Sequence, residues 1–332
     1  MNRPPENFKR IPADQLRSYA AACLKAAGLL EAHADQLAQL LTNSELRGVR
    51  SHGIRTIGGY CPTLKSGRVN PRPTLKVIRE TDTHVFIDGD GGLGYAPTML
   101  ATEKAIEKAK AKGVAVGAAC HLGHYGSAGH YVHRAMEEGC FAFSVQGAYP
   151  QYYPSNQDKR AANYGNPPLC FGLPGLEGPP LVLDGATCIL ADYQRGPEIE
   201  AIEALIPAAF FKSMGYTGIA TALGGVFVGQ AQEAARAVAE RWPGARLGSF
   251  VWVMDLGLFA PATQVRAGID ALISHVREEM IPLKGYDEAT LPGTMEYRKT
   301  QEYVQEGIPM GIEDLERLQK TGEELGVAAP WA

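Results

Sequence analysis

The sequence predicts a mixed α/β fold in which a central sheet domain is flanked by helical segments from both ends of the chain. Two observations predict this class. Short apolar runs typical of strands are confined to the middle of the 332-residue chain. Near both ends, apolar residues instead recur at the three- and four-residue spacing of amphipathic helices. We therefore expect a helical part over residues 1–75, a sheet domain over 76–256 and a second helical part over 257–332.

The N-terminal part is predicted to hold two helices. Pro12 suits a first helical position, and the residues ADQLRSYAAACLKAAG after it place apolar side chains at helical spacing. The second helix, LLEAHADQLAQLLTNSELRG, is expected to end at Gly48, because glycine commonly terminates helices. A stretch rich in proline and glycine, GRVNPRPTLK, then leads to the first strand.

Five apolar runs make up the predicted sheet domain. They are HVFIDG (84–89), VAVGAAC (114–120), CFAFSVQG (140–147), PLVLDG (180–185) and SFVWVMD (249–255). Helices are expected at PTMLATEKAIEKAKAK and SAGHYVHRAMEE between the strands, and at QVRAGIDALISHVREEM and GIEDLERLQKTGEELG near the C-terminus. The uncharged stretch 213–232 approaches membrane-spanning length, but its glycine, alanine and threonine content favours a buried helix whose glycines allow close packing.

Composition and charge exclude several classes of protein. An apolar content of 45% with 20% charged residues is ordinary for soluble globular proteins. The formal net charge of −4, without any local run of lysine or arginine, argues against nucleic-acid binding. The N-terminus lacks the apolar segment of a secretory signal, and the six cysteines are scattered without a CxxC pair. We therefore expect a cytoplasmic protein with reduced thiols that binds no membrane.

The loop GDGGLG, residues 89–94, matches the G-x-G-x-x-G fingerprint of Rossmann dinucleotide sites and lies between a predicted strand and a predicted helix. That fingerprint also requires an acidic residue about twenty positions further on, which binds the ribose hydroxyls. Here the next strand runs instead into His121 and His124. We interpret the loop as a glycine-rich turn and expect no Rossmann site.

Four of the eight histidines lie in HLGHYGSAGHYVH, residues 121–133. Protein zinc sites use recognisable spacings such as HExxH, which the chain lacks, so we expect no metal site. His130 and His133 are three residues apart and are expected to be ordinary residues on one helix face. The helix that starts near Ser127 would direct its free N–H groups toward an anion such as a pyrophosphate.

The segment RGVRSHGIR, residues 47–55, places Ser51 and His52 among arginines at the end of a predicted helix. Histidine titrates near neutral pH, so His52 suits proton donation beside arginines that bind an anion. From these residues alone, a solvent-exposed or capping histidine is the commoner case, and both interpretations stay open.

A longer stretch, RGVRSHGIRTIGGYCPTLKSGRVNPRP, resembles the N-terminal signature of the malate/L-lactate dehydrogenase family. This family is unrelated to Rossmann dehydrogenases and includes ureidoglycolate, sulfolactate and diketogulonate oxidoreductases. The resemblance continues through HVFIDGDGGLG, CHLGHYGSAGHYV, NYGNPPLCFGLP, PLVLDGAT, MGYTGIATALGG, FVWVMDLGLFAP and LPGT. It covers most of the chain, and SHGIR followed by HYGSAG is a specific combination.

The resemblance implies a non-Rossmann α/β fold with a mixed sheet, in which the sheet domain binds NAD or NADP. The helical N- and C-terminal parts would form the substrate side. It also implies a homodimer with active sites near the subunit interface. The implied reaction is hydride exchange between the nicotinamide and a small 2-oxo or 2-hydroxy carboxylate.

Roles for individual residues follow from the same resemblance. His52 would protonate the substrate oxygen, and Ser51 would hydrogen-bond to the substrate or to the His52 ring. Arg55 and Arg47 would bind the substrate carboxylate, which a guanidinium matches in a bidentate manner. Asp184 corresponds to an acidic residue facing the active site, and His124 would also contact the substrate. The cofactor-side residues are His124, Tyr125, Gly126, Ser127, Asn166 and Thr187.

Several departures from the family pattern fall on the cofactor side. The family's GTNP turn reads GNPP here, its DMATS stretch reads DGATC, and the lysine expected before Gly215 is Met214. The segment between residues 185 and 214 is also shorter than in the family. The residues of the substrate side, by contrast, keep the family pattern.

Three functions are compatible with this pattern. The chain is either a dehydrogenase with altered cofactor contacts, or a cofactor-independent acid–base enzyme (a lyase, hydratase or isomerase) acting on a carboxylate through His52 and Asp184. A non-enzymatic binding role is the third. The acid–base alternative would have its cofactor groove filled by tyrosines, for which Tyr149, Tyr152, Tyr153 and Tyr193 are the candidates.

Overall fold

The computed structural model describes residues 4–148, 165–190, 194 and 196–331. The chain divides into two compact units. The first consists of Met1–Thr74, Leu173–Leu181 and Ala260–Ala332, and the second consists of Leu75–Gly172 and Val182–Phe259. The short segment Leu173–Leu181 belongs to the same unit as the two ends of the chain, which no feature of the sequence predicted.

Helices and a two-stranded sheet form the first unit. Numbered along the chain, its elements are β1 (Phe8–Ile11), α1 (Ala13–Ala26), α2 (Glu31–Leu46), α3 (Ile57–Lys65), α9 (Ala262–Glu279), α10 (Thr294–Glu306), β9 (Ile308–Gly311) and α11 (Ile312–Leu325). The sequence predicted α1, α2, α9 and α11. Strands β1 and β9 pair antiparallel, with Phe8 opposite Gly311 and Ile11 opposite Ile308, so the two ends of the chain are joined by main-chain hydrogen bonds.

Buried apolar side chains on α1, α2 and the segment after α2 form the core of the first unit. Leu16, Leu37, Leu41, Ile54 and Ile57 are each at most 1% exposed. Their spacing along α1 and α2 follows the helical period from which both helices were predicted. Burial of these side chains stabilises the helices, since isolated helices of this length are marginal in water.

A seven-stranded mixed sheet and its helices form the second unit. Its elements are β2 (Lys76–Glu80), β3 (His84–Asp88), α4 (Tyr95–Lys112), β4 (Val114–Leu122), α5 (Gly129–Glu137), β5 (Cys140–Ala148), β6 (Pro168–Leu173), β7 (Leu181–Ala186), α6 (Pro197–Leu205), α7 (Pro207–Thr221), α8 (Glu233–Arg241) and β8 (Leu247–Asp255). The strand order is β2-β3-β4-β8-β5-β6-β7. Strands β3 and β4 are parallel, whereas β4–β8, β8–β5 and β5–β6 are antiparallel. The mixed sheet confirms the predicted fold class.

Alternation along the strands places different helices on the two faces of this sheet. Ala119 of β4 packs in one cluster with Ala101 of α4. Its neighbour Ala118 packs on a second cluster that includes Ala220 of α7. Both faces of the central strands are therefore covered, which explains why these strands read as nearly continuous apolar runs.

The uncharged stretch 213–232 is helical, but it is not the fully buried helix that we expected. Helix α7 continues into a short π-helical turn, Ala222–Val226. On one side, Gly224 lies so close to Gly147 of β5 that a Cβ there would overlap the main chain, so the expected close packing by glycine is present. Elsewhere in the stretch, Ile219 is 59% and Phe227 is 74% exposed. Among the described residues, no helix combines the length and apolar character needed to cross a bilayer.

Candidate active site

The Ser51–His52 segment follows a well-defined helix end. Gly48 has a φ of 71°, a left-handed conformation that glycine adopts without strain. The N–H of Gly48 donates to the carbonyl of Glu45, and the N–H of Val49 donates to that of Ser44. This is the Schellman arrangement, which terminates α2 and turns the chain sharply. The chain then forms two short 3₁₀ turns, Arg50–His52 and Ile54–Thr56, which carry the candidate substrate-side residues.

Ser51 and His52 are paired. The Oγ of Ser51 lies 2.9 Å from Nδ1 of the His52 ring, within hydrogen-bond distance. The Ser51 residue is exposed and His52 is half-buried. The contact engages Nδ1 and orients the imidazole. In the tautomer whose Nδ1–H donates to Ser51 Oγ, Nε2 accepts a proton in the neutral ring and donates one in the protonated ring.

The three arginines of this segment differ in their surroundings. Arg50 forms an ion pair of 2.7 Å with Asp314 of α11. Arg47 ends α2 and is half-buried. Arg55 is exposed, and its guanidinium has no ion-pair partner among the residues that the structure describes. Arg55 is therefore better placed than Arg50 to bind an external carboxylate.

A buried carboxyl group lies directly beneath this segment. Glu45 is 2% exposed, and a Cβ on Gly53 would overlap its carboxyl group. Its carboxyl group accepts a hydrogen bond from the main-chain N–H of Ile54. Burial raises the pKa of Glu45 to about 8, although the positive charges of Arg50 and Arg55 act against the shift.

Sequence analysis missed Glu45, although the sequence contains a signal for it. Leu37, Leu41 and Glu45 follow one another at four-residue spacing, and all three are buried. A charged residue in a core position of a helical pattern is unusual and indicates a special role. The Arg50–Asp314 pair had no comparable signal, because its partners are separated by 264 positions.

The first cofactor-side group is the turn that follows β4. Gly126 has a φ of 80°, and a Cβ there would overlap the ring of Tyr95. Tyr125 is fully buried, and its N–H donates to Oε1 of Gln146 at 3.3 Å. Burial raises the pKa of the Tyr125 phenol well above its usual value. Tyr125 thus fixes the turn from within the core, whereas the neighbouring His124 is exposed.

Ser127 and Asp184 meet at the start of α5. The Ser127 hydroxyl donates to Oδ2 of Asp184 at 2.5 Å and accepts from the N–H of Gly129 at 3.1 Å. The sequence had led us to expect an external anion such as a pyrophosphate at this helix N-terminus. The Asp184 carboxylate already lies there, and its charge would repel a second anion at that place.

A second cofactor-side group connects β7 with α7. Oδ1 of Asn166 accepts from the N–H of Cys188 at 3.0 Å. The hydroxyl of Thr187 accepts from that of Thr217 at 2.8 Å, and the carbonyl of Thr187 accepts from Ser213 at the same distance. Asn166 and Thr187, predicted from separate motifs, therefore belong to one hydrogen-bonded network. The four candidate tyrosines of the acid–base alternative lie outside the described residues.

The glycine loop 89–94 uses its main-chain donors internally. The N–H groups of Gly89 and Gly91 donate to the carbonyls of Cys120 and His121, and the N–H of Gly94 donates to the carbonyl of His124. A Rossmann loop needs such groups free for a pyrophosphate. The loop thus joins the ends of β3 and β4, as its interpretation as a turn requires.

Asp88, Cys120 and His121 each place a potential metal ligand atom within 4.8 Å of the others, a grouping that the sequence did not predict. Within this group, Oδ1 of Asp88 already contacts Nδ1 of His121 at 3.0 Å and accepts from the N–H of Asp90. Burial raises the pKa of the Cys120 thiol, which disfavours the thiolate that binds metals. His130 of the same region is buried against the ring of Tyr95.

The candidate residues fall into two sets, one in each unit. Arg47, Ser51, His52 and Arg55 belong to the first unit. The predicted cofactor-side residues and Asp184 belong to the second.

Comparisons with known proteins agree on one family. Residues 11–196 match the family described as malate/L-lactate dehydrogenase, a range that contains every candidate site residue. The chain is 28% identical to a malate dehydrogenase of Pyrococcus horikoshii over 97% of both chains. It is 24% identical to the ureidoglycolate dehydrogenase (NAD(+)) of Escherichia coli O157:H7, over 92% of this chain and 93% of that one.

The solved structure of the Pyrococcus horikoshii malate dehydrogenase superimposes with a TM-score of 0.81 at 25% identity, covering 98% of each chain. The malate dehydrogenase structure from Entamoeba histolytica gives a TM-score of 0.82 at 21% identity and supports the fold alone. Sequence match, length and fold all agree. The chain belongs to the malate/L-lactate dehydrogenase family.

Proposed function

We propose that this protein is a dehydrogenase that exchanges a hydride between NAD(P) and a small 2-oxo or 2-hydroxy carboxylate. The observation that carries the proposal is the bonded Ser51–His52 pair on a 3₁₀ turn directly followed by the turn that carries the exposed Arg55. Membership of a dehydrogenase family supports it, since the relatives named above act on malate and ureidoglycolate. Small hydroxy acids all carry a carboxylate, a group that the guanidinium of Arg55 is suited to bind.

His52 is proposed to move the proton. With Nδ1 held by Ser51, Nε2 donates to the substrate oxygen during reduction of the 2-oxo group and accepts the same proton during oxidation. Arg55 would hold the carboxylate and thereby orient the adjacent carbonyl. Arg47, at the end of α2, would add positive charge.

The residues of the 123–129 turn fit the nicotinamide end of the cofactor. Among the described residues, the N–H groups of Gly126, Ser127 and Ala128 have no main-chain or side-chain acceptor, so they can donate to a carboxamide oxygen. The Asp184 carboxylate suits the positive charge of the oxidised nicotinamide ring. His124 would cover the same end, and Asn166 and Thr187 would contribute from the second group. When bound, NAD(P) supplies or accepts the hydride.

We further propose that NAD is preferred, because the Escherichia coli relative is named as an NAD(+) enzyme. All six cysteine thiols are free, which supports the cytoplasmic location proposed from the sequence. The proposed assembly is a homodimer.

The test is titration of the purified protein with NADH and with NADPH, followed by nicotinamide fluorescence. We expect saturable binding in the micromolar range, tighter for NADH, and turnover of some member of a panel of 2-oxo acids. The His52→Ala variant should keep cofactor binding and lose turnover by about 100-fold or more.

His275→Ala is the matched control, because His275 is an exposed histidine of the first unit on α9. It should behave as the unmodified protein. Absence of binding to either nucleotide by the folded protein would contradict the proposal. Elimination or isomerisation of a carboxylate that still depends on His52 would then support the cofactor-independent alternative.

A further inference from the structure

We propose that Glu45 is a positioning residue of the proposed active site: its buried carboxyl group supports the 50–55 segment from beneath and sets the placement of Ser51, His52 and Arg55. The inference rests on the proposed function for its kinetic consequences. Its structural part concerns residues of this chain alone and is tested separately below.

The Glu45 carboxyl group fills the space that a side chain at position 53 would need, so Gly53 and Glu45 are matched to each other. Ile54 donates its main-chain N–H to the same carboxyl group. Glu45 therefore contacts the chain at the two residues that separate His52 from Arg55. A change in the size or hydrogen bonding of the side chain at position 45 is then expected to shift both His52 and Arg55.

Glu45 Oε1 is buried and has no hydrogen-bond partner among the described residues. A buried polar atom without a hydrogen bond destabilises the folded protein. A leucine at position 45 would remove this penalty, as leucine does at the buried positions 37 and 41 of the same helix. A carboxyl group that is held neutral lowers this cost, because the penalty for an ionised group is much larger.

The charges around Glu45 connect its ionisation to substrate binding. Arg50 and Arg55 face Glu45 from the two 3₁₀ turns, Asp314 faces it from α11, and Tyr303 faces it from α10. While Glu45 is neutral, Arg50 is paired with Asp314 and Arg55 keeps its full charge for the substrate. Once Glu45 ionises, its negative charge attracts both guanidinium groups and partly neutralises Arg55. Ionisation of Glu45 should therefore weaken binding of a carboxylate substrate.

Three variants test the inference. Glu45→Gln keeps the size and hydrogen-bonding groups of the neutral acid but cannot ionise. Glu45→Leu keeps the approximate volume and loses the acceptor for Ile54. Ser44→Ala is the matched control, because the Ser44 hydroxyl is also buried without a hydrogen-bond partner in the described structure and belongs to the same helix turn.

The kinetic readout is KM for the carboxylate and kcat between pH 6.5 and 9.5. In the unmodified protein and in Ser44→Ala, KM should rise about tenfold or more over this range. In Glu45→Gln, both constants at pH 7 should stay within about threefold of the unmodified protein, and the alkaline rise in KM should disappear. Glu45→Leu should lose about tenfold or more in kcat/KM at every pH. An unchanged alkaline rise in Glu45→Gln would overturn the inference.

A second readout needs neither cofactor nor substrate. In protein labelled with ¹³C at the glutamate carboxyl carbon, the Glu45 resonance is identified by its absence in Glu45→Gln. It should titrate near pH 8, and the ¹⁵N–H resonance of Ile54 should shift with the same midpoint. Titration near pH 4.5 without any effect on Ile54 would refute the positioning role, even if the enzyme turns over. If no dehydrogenase activity is found but both resonances titrate together, the proposed function fails and the structural inference stands.

Discussion

Arg50 and Arg55 are five residues apart on two successive 3₁₀ turns, yet the surroundings of their side chains differ. Asp314 holds Arg50, whereas Arg55 is exposed without an ion pair among the described residues. The family motif led to Ser51, His52 and Arg55 as candidate residues, because they are neighbours along the chain. It did not predict Glu45 or Asp314, whose contributions depend on which side chains the fold brings beneath the motif.

Removing the Arg55 guanidinium is expected to affect substrate binding more than cofactor binding. In Arg55→Ala, KM for the carboxylate should rise roughly 10- to 100-fold, corresponding to the loss of a charged hydrogen bond of about 1.5–3 kcal/mol. The dissociation constant for NADH should stay unchanged. Arg55→Lys should recover only part of the loss, because lysine lacks the bidentate geometry.

Arg79→Ala, at an exposed position of the edge strand β2, is the control for this experiment. A change in KM of the same size in both variants would show that Arg55 acts through the overall charge of the protein and not through direct contact.

Glu45 also makes the stability of the protein depend on pH. Its pKa is about 8 in the folded protein and near the ordinary value of 4.5 in the unfolded chain. Between these values the unfolded chain releases the proton and the folded protein keeps it. The contribution of Glu45 to the free energy of unfolding is therefore largest below pH 4.5. That contribution falls by about 1.4 kcal/mol per pH unit up to pH 8.

Urea unfolding of the unmodified protein and of Glu45→Gln at pH 5 and pH 7.5 checks this expectation. The difference in unfolding free energy between the two proteins should change by roughly 3 kcal/mol between these pH values, in favour of the variant at pH 7.5. A difference that does not depend on pH would mean that Glu45 is ionised in the folded protein.

Elements with strong local patterns were predicted well, and elements defined by distant partners were not. Helices α1, α2 and α11 follow the apolar period of their sequences. Strands β1 and β9 have four residues each and exist because they pair across nearly the whole length of the chain. Helix α10, TMEYRKTQEYVQE, buries only Thr294 and Tyr303, so it offers no apolar stripe to recognise.

The turn after β4 depends on the glycine at position 126. Its positive φ and the adjacent Tyr95 ring both disfavour a side chain there, so Gly126→Ala should destabilise the protein by about 1–3 kcal/mol. Gly215→Ala is the matched control, because Gly215 lies within helix α7 and a Cβ there meets no atom within 4 Å. That variant should be neutral or more stable by up to about 1 kcal/mol. Thermal unfolding measures both, and an equal effect of the two substitutions would contradict the steric argument.

Three large apolar side chains of α7 and the turn after it are exposed, and we propose that the partner subunit of the homodimer covers them. Phe211, Ile219 and Phe227 are 72%, 59% and 74% exposed in the single chain. Monomeric soluble proteins rarely expose a group of large apolar side chains of this kind. This agrees with the homodimer proposed from the family resemblance.

Multi-angle light scattering should give twice the mass of the chain at micromolar concentration. Phe211→Glu should shift the equilibrium toward the monomer, whereas Lys212→Glu, a charge change at the next position of the same helix, should have a much smaller effect. A monomer of unmodified protein at these concentrations would contradict the homodimer.

The pairing of β1 with β9 bears on the order in which the chain acquires its structure during synthesis. The second unit is built almost entirely from Leu75–Gly172 and Val182–Phe259, so its residues have all left the ribosome while the last part of the chain is still being made. The first unit needs Ala260–Ala332 as well as the N-terminal helices. The apolar faces of the N-terminal helices are therefore expected to stay exposed until α11 has been synthesised. We therefore expect the second unit to fold before the first, which reverses the usual order in which the N-terminal domain folds first. Until the last helix is made, the N-terminal helices are then expected to be exposed to aggregation.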